Sequence, residues 1–220
     1  MDKTNCRRWR KIITAWGSDA VNGGRFTFRV NQLGSNDVIR IENKGSGLNG
    51  TIDVSDNLWH HVAVTYNATA TANKYKLYVD GVLDVQGNLS QSLNIVAGVN
   101  LRIGRRIHAT YTGYFGGEMD EVRVWNIERT ATEIQSNKDI EFCTNPTGLV
   151  AYYQFNEGTA GGANAGISTL PDVAGSNDGT LQGFGLTGTT SNWITGVTLS
   201  QAGAASTRNV TLCAGDSLIM

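Results

Sequence analysis

The chain has almost no net charge to spend on a partner. Lys and Arg number 18 against 19 Asp and Glu, a net charge of −1. Nothing in that balance draws it to nucleic acid or to an anionic membrane. Proline is nearly missing, at 2 residues, and cysteine is scarce. Cys6, Cys143 and Cys213 lie far apart, with no CxxC pair and no Cys/His metal spacing. The odd count leaves at least one thiol unpaired, and in a secreted protein either a Cys143–Cys213 or a Cys6–Cys143 bridge is open. No apolar run is long enough to cross a bilayer, which excludes membrane insertion by a helix. Met1–Ala15 lacks the apolar core of a signal peptide. No Ser/His/Asp or Cys/His grouping stands out, and there is no phosphate-binding loop. The one basic cluster, Arg7, Arg8, Arg10 and Lys11 around Trp9, sits at the N-terminus and reads as a frayed or artificial end.

What the chain does have is glycine, 27 residues, and 40% hydrophobic residues. That mixture suits many short strands joined by tight turns. Strand-like segments follow one another closely. GRFTFRV (24–30) puts Phe26 and Phe28 on one side and Arg25, Thr27 and Arg29 on the other. DVIRIEN (37–43) alternates likewise. WHHVAVTY (59–66) places Val62, Val64 and Tyr66 together, and KYKLYVDG (74–81) places Tyr75, Leu77 and Val79 together. Asp80-Gly81 between KLYV and VLDV is a two-residue hairpin signal. LRIG (101–104), EMDEVRVW (118–125), GLVAYYQFNEG (148–158) and GTLQGFGL (179–186) continue the series. The expectation is antiparallel sheet with one wet face and one dry. The one helix expected is short: Thr130 caps it, Glu133 completes a capping box and Ile134 anchors the turn. Residues 197–209 read as a linker.

GGEMDEVRVW, followed by NIERTATEI, carries the first candidate site. Period-two geometry places Glu118, Asp120, Val122 and Val124 on one face, and Met119, Glu121, Arg123 and Trp125 on the other. A carboxylate beside two valines is costly unless a cation or backbone donors pair with it. A second candidate is the loop ATYTGYFGG, with Tyr111, Tyr114 and Phe115 close behind Arg105, Arg106 and His108. Exposed aromatics beside polar donors suit a glycan or an extracellular protein, whereas the same aromatics turned inward would only fill core. Trp59, Trp125 and Trp193 read as core residues. His60 and His61 are neighbours in a strand, face opposite ways and cannot chelate one ion as a pair. The sequons at Asn49, Asn67, Asn88 and Asn209 read as turn and strand residues.

Taken together, WHHVAVTY, KLYVDGVL (76–83), LRIG, GGEMDEVRVWNIERTATEI (116–134) and the 148–184 segment resemble the bacterial laminin-G-like, concanavalin A-like jelly-roll modules. The resemblance runs over about residues 12–195. It implies an all-β, two-sheet antiparallel jelly-roll sandwich over residues 1–196, truncated at its N-terminus. Residues 148–186 would pair with the DEVRVW strand as trailing edge strands, and 197–220 would be a linker and the start of a further module. Two features depart from the family pattern: its opening Phe-Asp-Gly strand pair is missing before AWGS, and the GLVAYYQF…NDGTLQGF element trails the module instead of opening it. The chain therefore reads as a fragment of a larger secreted or cell-surface protein, whose other domains would be its neighbours. In related proteins an aspartate at the Asp120 position helps to bind a structural calcium, and Asn156, Asp172, Asn177 and Asp178 would be its further ligands. The fold class also includes retaining glucanases, whose acids line one strand face as Glu-x-Asp-x-Glu. Here Glu118 and Asp120 fit, but the third position is Val122 and Glu121 points away, so no catalysis is expected. The implied role is a binding or adhesion module. The alternatives are a structural spacer or a degenerate β-glucanase.

Overall fold

The computed structural model describes residues 11–18, 20–95, 98–106, 113–187 and 192–201. The chain divides into two compact units, Met1–Gly117 with Thr130–Lys138, and Glu118–Arg129 with Asp139–Met220. In the first unit β1 (Lys11–Gly17), β2 (Arg25–Leu33), β3 (Asn36–Asn43), β4 (Ser46–Asp53) and β8 (Arg102–Ile103) form one sheet, in the order β4-β3-β2-β1-β8. A second sheet holds β5 (Val62–Tyr66), β6 (Tyr75–Val79) and β7 (Val82–Gly87) in sequence order. All pairings in both sheets are antiparallel.

The alternation of apolar residues explains how the sheets meet. Phe28, Ile39 and Ile41 of the larger sheet share one buried cluster with Tyr75, Leu77 and Val79 of the smaller. Phe26, Val62, Val64 and Tyr66 pack around it. Each such side chain removed from water contributes about 1.5–3 kcal/mol. The result is the expected all-β sandwich with, among the described residues, one short helix.

The turn between β6 and β7 forms at Asp80-Gly81, with φ of 51° and 79°. Positive φ at both central residues is what a primed hairpin turn requires. A side chain at Gly81 would also strike the helix, because its Cβ would lie 2.0 Å from the Gln135 side chain. That helix, α1 (Ala131–Asn137), carries the full capping box of Thr130 and Glu133 and buries Ile134. Two details differ from expectation. Strand β5 begins at Val62, not Trp59, and Trp59 is 41% exposed instead of lying in the core. Strand β4 forms from SGLNGTID, which has too few apolar residues to show an alternation.

The opposite face of the larger sheet is not the wet surface expected. Arg25, Thr27 and Arg29 are buried. Arg29 lies directly opposite Arg40 on β3, an arrangement of like charges that is unfavourable by itself. Glu42 resolves it: its carboxylate accepts from Arg25 (2.9 Å), Arg29 (3.0 Å) and Arg40 (3.2 Å). Burial pushes the Glu42 carboxyl up, but the arginines outweigh it and hold it below the ordinary glutamate range.

In the second unit β9 (Val122–Trp125) pairs antiparallel with β11 (Leu149–Tyr153), so of the trailing 148–186 segment it is residues 149–153 that join the DEVRVW strand. These two strands make a sheet of their own. β12 (Thr169–Leu170) pairs antiparallel with β13 (Gly179–Thr180). β10 (Ile140–Glu141) pairs with β14 (Ser200–Gln201) in parallel, so residues expected to begin a linker are hydrogen-bonded into this unit. Phe142, Leu149 and Tyr152 form the core here, with Trp125 half-buried against it; Trp193 is also buried in this unit. Cys6 and Cys213, the two candidate partners of Cys143, lie outside the described residues, as do Asn209 and the basic cluster up to Arg10.

Glu42→Gln leaves three guanidinium groups without their shared anion. The variant is expected to lose about 3 kcal/mol of stability at pH 7 in urea unfolding. Because the folded-state pKa of Glu42 is lowered, its contribution is present above the ordinary glutamate pKa and is lost as pH falls through the folded value. The difference between wild type and variant should therefore shrink at pH 3.

Candidate functional site

The aromatic loop begins where β8, hydrogen-bonded to β1, ends the larger sheet. Its neck is a short hairpin: Arg105 and Tyr114 form an antiparallel bridge, and the Arg106 N–H donates to Gly113 O at 2.8 Å. The Phe115 N–H donates to Gly104 O at 2.7 Å. Two side chains define the described part of the site. Tyr114 is 60% exposed, and the Arg105 guanidinium sits 5.8 Å from its ring centroid. A cation over a ring face holds the ring's orientation while leaving its other face to a ligand. The structure thus brings Arg105, Arg106 and Tyr114 to one hairpin neck, while His108 and Tyr111 lie outside the described residues.

The Asp120 strand is shorter than the sequence implies. Glu121 has φ of 54°, which breaks the extended backbone ahead of Val122. The alternation that placed Asp120 with Val122 and Val124 therefore does not run through residue 121. Asp120 accepts the N–H of Glu121 at 3.0 Å and of Val197 at 3.1 Å. The Val197 approach needs glycine before it, since a Cβ on Gly196 would lie 2.2 Å from Asp120 Oδ2. Burial raises the Asp120 carboxyl, and the two N–H bonds only partly offset it.

Glu121, which alternation places on the face away from Asp120, is tied in by two side chains. Its carboxylate accepts from the Tyr152 hydroxyl and from the Arg123 guanidinium. Arg123 also donates to Ile140 O and stacks over Phe142, 4.3 Å from the ring centroid. Burial and the bond to Glu121 push the Tyr152 hydroxyl up to about 12. Burial likewise raises Glu121, against the pull of Tyr152 and Arg123. The signal that would have found this network was the adjacency of Glu121, Arg123 and the YY of β11 across one antiparallel pair. Glu118, by contrast, is exposed.

Asp172, Asn177 and Asp178 do come together. Asp172 Oδ1 accepts the N–H of Tyr152 (2.9 Å), Ala174 (3.1 Å) and Gly175 (3.1 Å). Its Oδ2 accepts the backbone N–H and the side-chain amide of Asn177, both at 3.1 Å. Asp178 accepts the Asp172 N–H at 2.9 Å. Burial would raise the Asp172 carboxyl, but these donors outweigh it and hold it below the ordinary aspartate range. Asn156 bonds elsewhere, to Glu141 at 3.1 Å. Five N–H groups converge on Asp172, where a cation would need free oxygen lone pairs. Among the described residues no cluster of three or more His, Cys, Asp and Glu stands where it could share a metal ion. The Asp172 set therefore does not fit calcium; it fits the backbone it organises.

Asp172→Ala should lower stability by about 3 kcal/mol, because several buried N–H groups lose their acceptor at once. A wild-type melt in excess calcium should match one in chelator, where a site filled at a hundredfold excess would add roughly 2.7 kcal/mol.

Among the described residues no helix is long and apolar enough to cross a membrane. No curated protein matches the chain. Its structure is similar to that of a "putative carbohydrate binding protein" from Bacteroides ovatus ATCC 8483, with a TM-score of 0.58 and 23% identity. The match covers 78% of this chain and 47% of the other, so the chain spans about half the length of that relative. At that identity the likeness speaks for the fold. Residues 4–135, more than half of the chain, match the laminin-G-like model of the concanavalin A-like lectin/glucanases superfamily, and the chain belongs to that family.

Proposed function

We propose that the chain is a non-catalytic, extracellular glycan-binding module that meets its ligand at the neck formed by Arg105, Arg106 and Tyr114. One observation carries this reading: Tyr114 is an exposed ring held by the Arg105 guanidinium at the neck of a backbone-closed hairpin. A stacking face beside fixed cationic donors is suited to a sugar ring and its hydroxyl or carboxylate groups. The family and the Bacteroides ovatus relative support a binding module. The absence of catalysis is argued from the acids. A retaining glycosidase needs two carboxyl groups flanking one bond. Here Glu118 is exposed, Asp120 accepts two backbone N–H bonds, Val122 takes the third position and Glu121 is bonded to Tyr152 and Arg123.

Tyr114→Ala and Arg105→Ala should each weaken glycan binding tenfold or more, about 1.4 kcal/mol, without changing the melting temperature by more than a few degrees. A glycan array followed by titration calorimetry checks this. A folded chain that binds no glycan, and whose variants behave as wild type toward every partner, would favour the spacer role.

A further inference from the structure

A second surface of the first unit is built by the loop 54–61 and the Asp80-Gly81 turn. The loop is tied down along its length. Asp53 accepts the Ser55 N–H at 3.1 Å and its hydroxyl at 2.6 Å. Asp56 accepts the Leu58 N–H at 2.8 Å, across Asn57 at φ 67°. His60 then bridges two carboxylates, with Nε2 3.0 Å from Asp56 and Nδ1 2.8 Å from Asp80. Asp80 also accepts the His61 N–H at 2.9 Å, and its own N–H donates to His61 O at 2.7 Å.

Between these anchors the loop turns its apolar residues outward. Leu58 is 72% exposed and Trp59 41%. Val82, the residue after the turn, is 61% exposed. The carboxylates of Asp56 and Asp80 are themselves about half exposed, at 47% and 49%. A half-exposed indole offers a flat apolar face, and Asp56 and Asp80 of the same loop and turn keep lone pairs for hydroxyl donors. The sequence of the patch, DVSDNLWHH with DGVL, contains no lysine or arginine. A carboxylated or sulfated ligand would meet like charge there, whereas a neutral one would not.

We propose that Trp59, Leu58, Asp56 and Asp80 form a second platform, one that takes a neutral pyranose glycan, its ring against Trp59 and its hydroxyls donating to the two carboxylates. The proposal rests on the glycan-binding reading above and adds to it a separate site and a ligand class. Preorganisation is the physical argument: a loop already fixed by its own hydrogen bonds loses little conformational entropy when it binds.

The test uses the full chain and a stated set of probes. Cellohexaose, laminarihexaose, mannohexaose and xylohexaose are the neutral members; polygalacturonate and chondroitin sulfate are the acidic ones. At least one neutral probe should bind and shift the Trp59 indole N–H resonance. Trp59→Ala should weaken that binding tenfold or more. Leu58→Ser removes a side chain that is mostly in solvent, so it keeps the fold if Trp59→Ala does not; it should weaken binding about threefold, a little over 0.6 kcal/mol. Neutral-probe binding that is lost in Tyr114→Ala but unchanged in both Trp59→Ala and Leu58→Ser would overturn this inference and leave the hairpin reading standing. A Trp59 resonance that responds only to the acidic probes would also overturn it. If no probe of either kind binds the folded chain, both readings fall together.

Discussion

The first unit depends on one constraint: Phe28, Ile39 and Ile41 must face Tyr75, Leu77 and Val79, because neither sheet can bury its apolar face alone. Fixing that face fixes the other. On the larger sheet it commits Arg25, Thr27, Arg29, Arg40 and Glu42 to the opposite side, where Arg29 and Arg40 face each other across the ladder. Glu42 then becomes indispensable, since it is the carboxylate that all three arginines reach. Strand interiors are used up by packing and by this ion cluster, which leaves the Arg105–Tyr114 neck and the 54–61 loop as the surfaces that the proposed recognition would use.

What was legible in the sequence was whatever a short stretch of chain decides for itself. The Asp80-Gly81 turn, the Thr130–Glu133 capping box and the two-fold alternation of β2, β5 and β6 are local, and each forms as read. The pairing of β11 with β9 was readable too. Features set by partners distant in sequence were not. Strand β4 carries little apolar signal and is held as the neighbour of β3. The ladders slip between Ile12 and Thr14, between Val38 and Arg40, and between Leu77 and Tyr78. The one-residue slips of β1 and β7 reverse which residues share a face, the slip between β3 and β4 adds two residues to β4, and a strict alternation cannot anticipate either. Asp84 shows the effect: it is the extra residue of β7 opposite the Leu77–Tyr78 step, and it accepts the Thr51 N–H and hydroxyl from β4.

The acidic residues show the same limit in a sharper form. The family resemblance offers Asp120, Asp172 and Asp178 as calcium ligands, and a carboxylate near apolar residues does need compensation. They do not say what compensates. Asp172 is compensated by five N–H groups, Glu121 by a tyrosine and an arginine, and Glu42 by three arginines. Each solution draws on partners from other strands or loops. Glu121 was misplaced for a different reason: its positive φ turns the chain just where alternation was being counted.

Asp56 and Asp80 have the exposure that the proposed second platform needs. Asp56 and Asp80 are fixed in place by His60 and by backbone N–H groups, yet are not enclosed. That combination separates them from Glu42, Glu121 and Asp172, whose partners are internal. The likeness to the Bacteroides ovatus protein, at 23% identity, speaks for the fold alone. The shared element is the sandwich, and the sandwich is set by its buried faces. Those faces do not constrain the loops, so the proposed binding sites rest on this chain's own Trp59, Tyr114 and their neighbours and not on the shared fold.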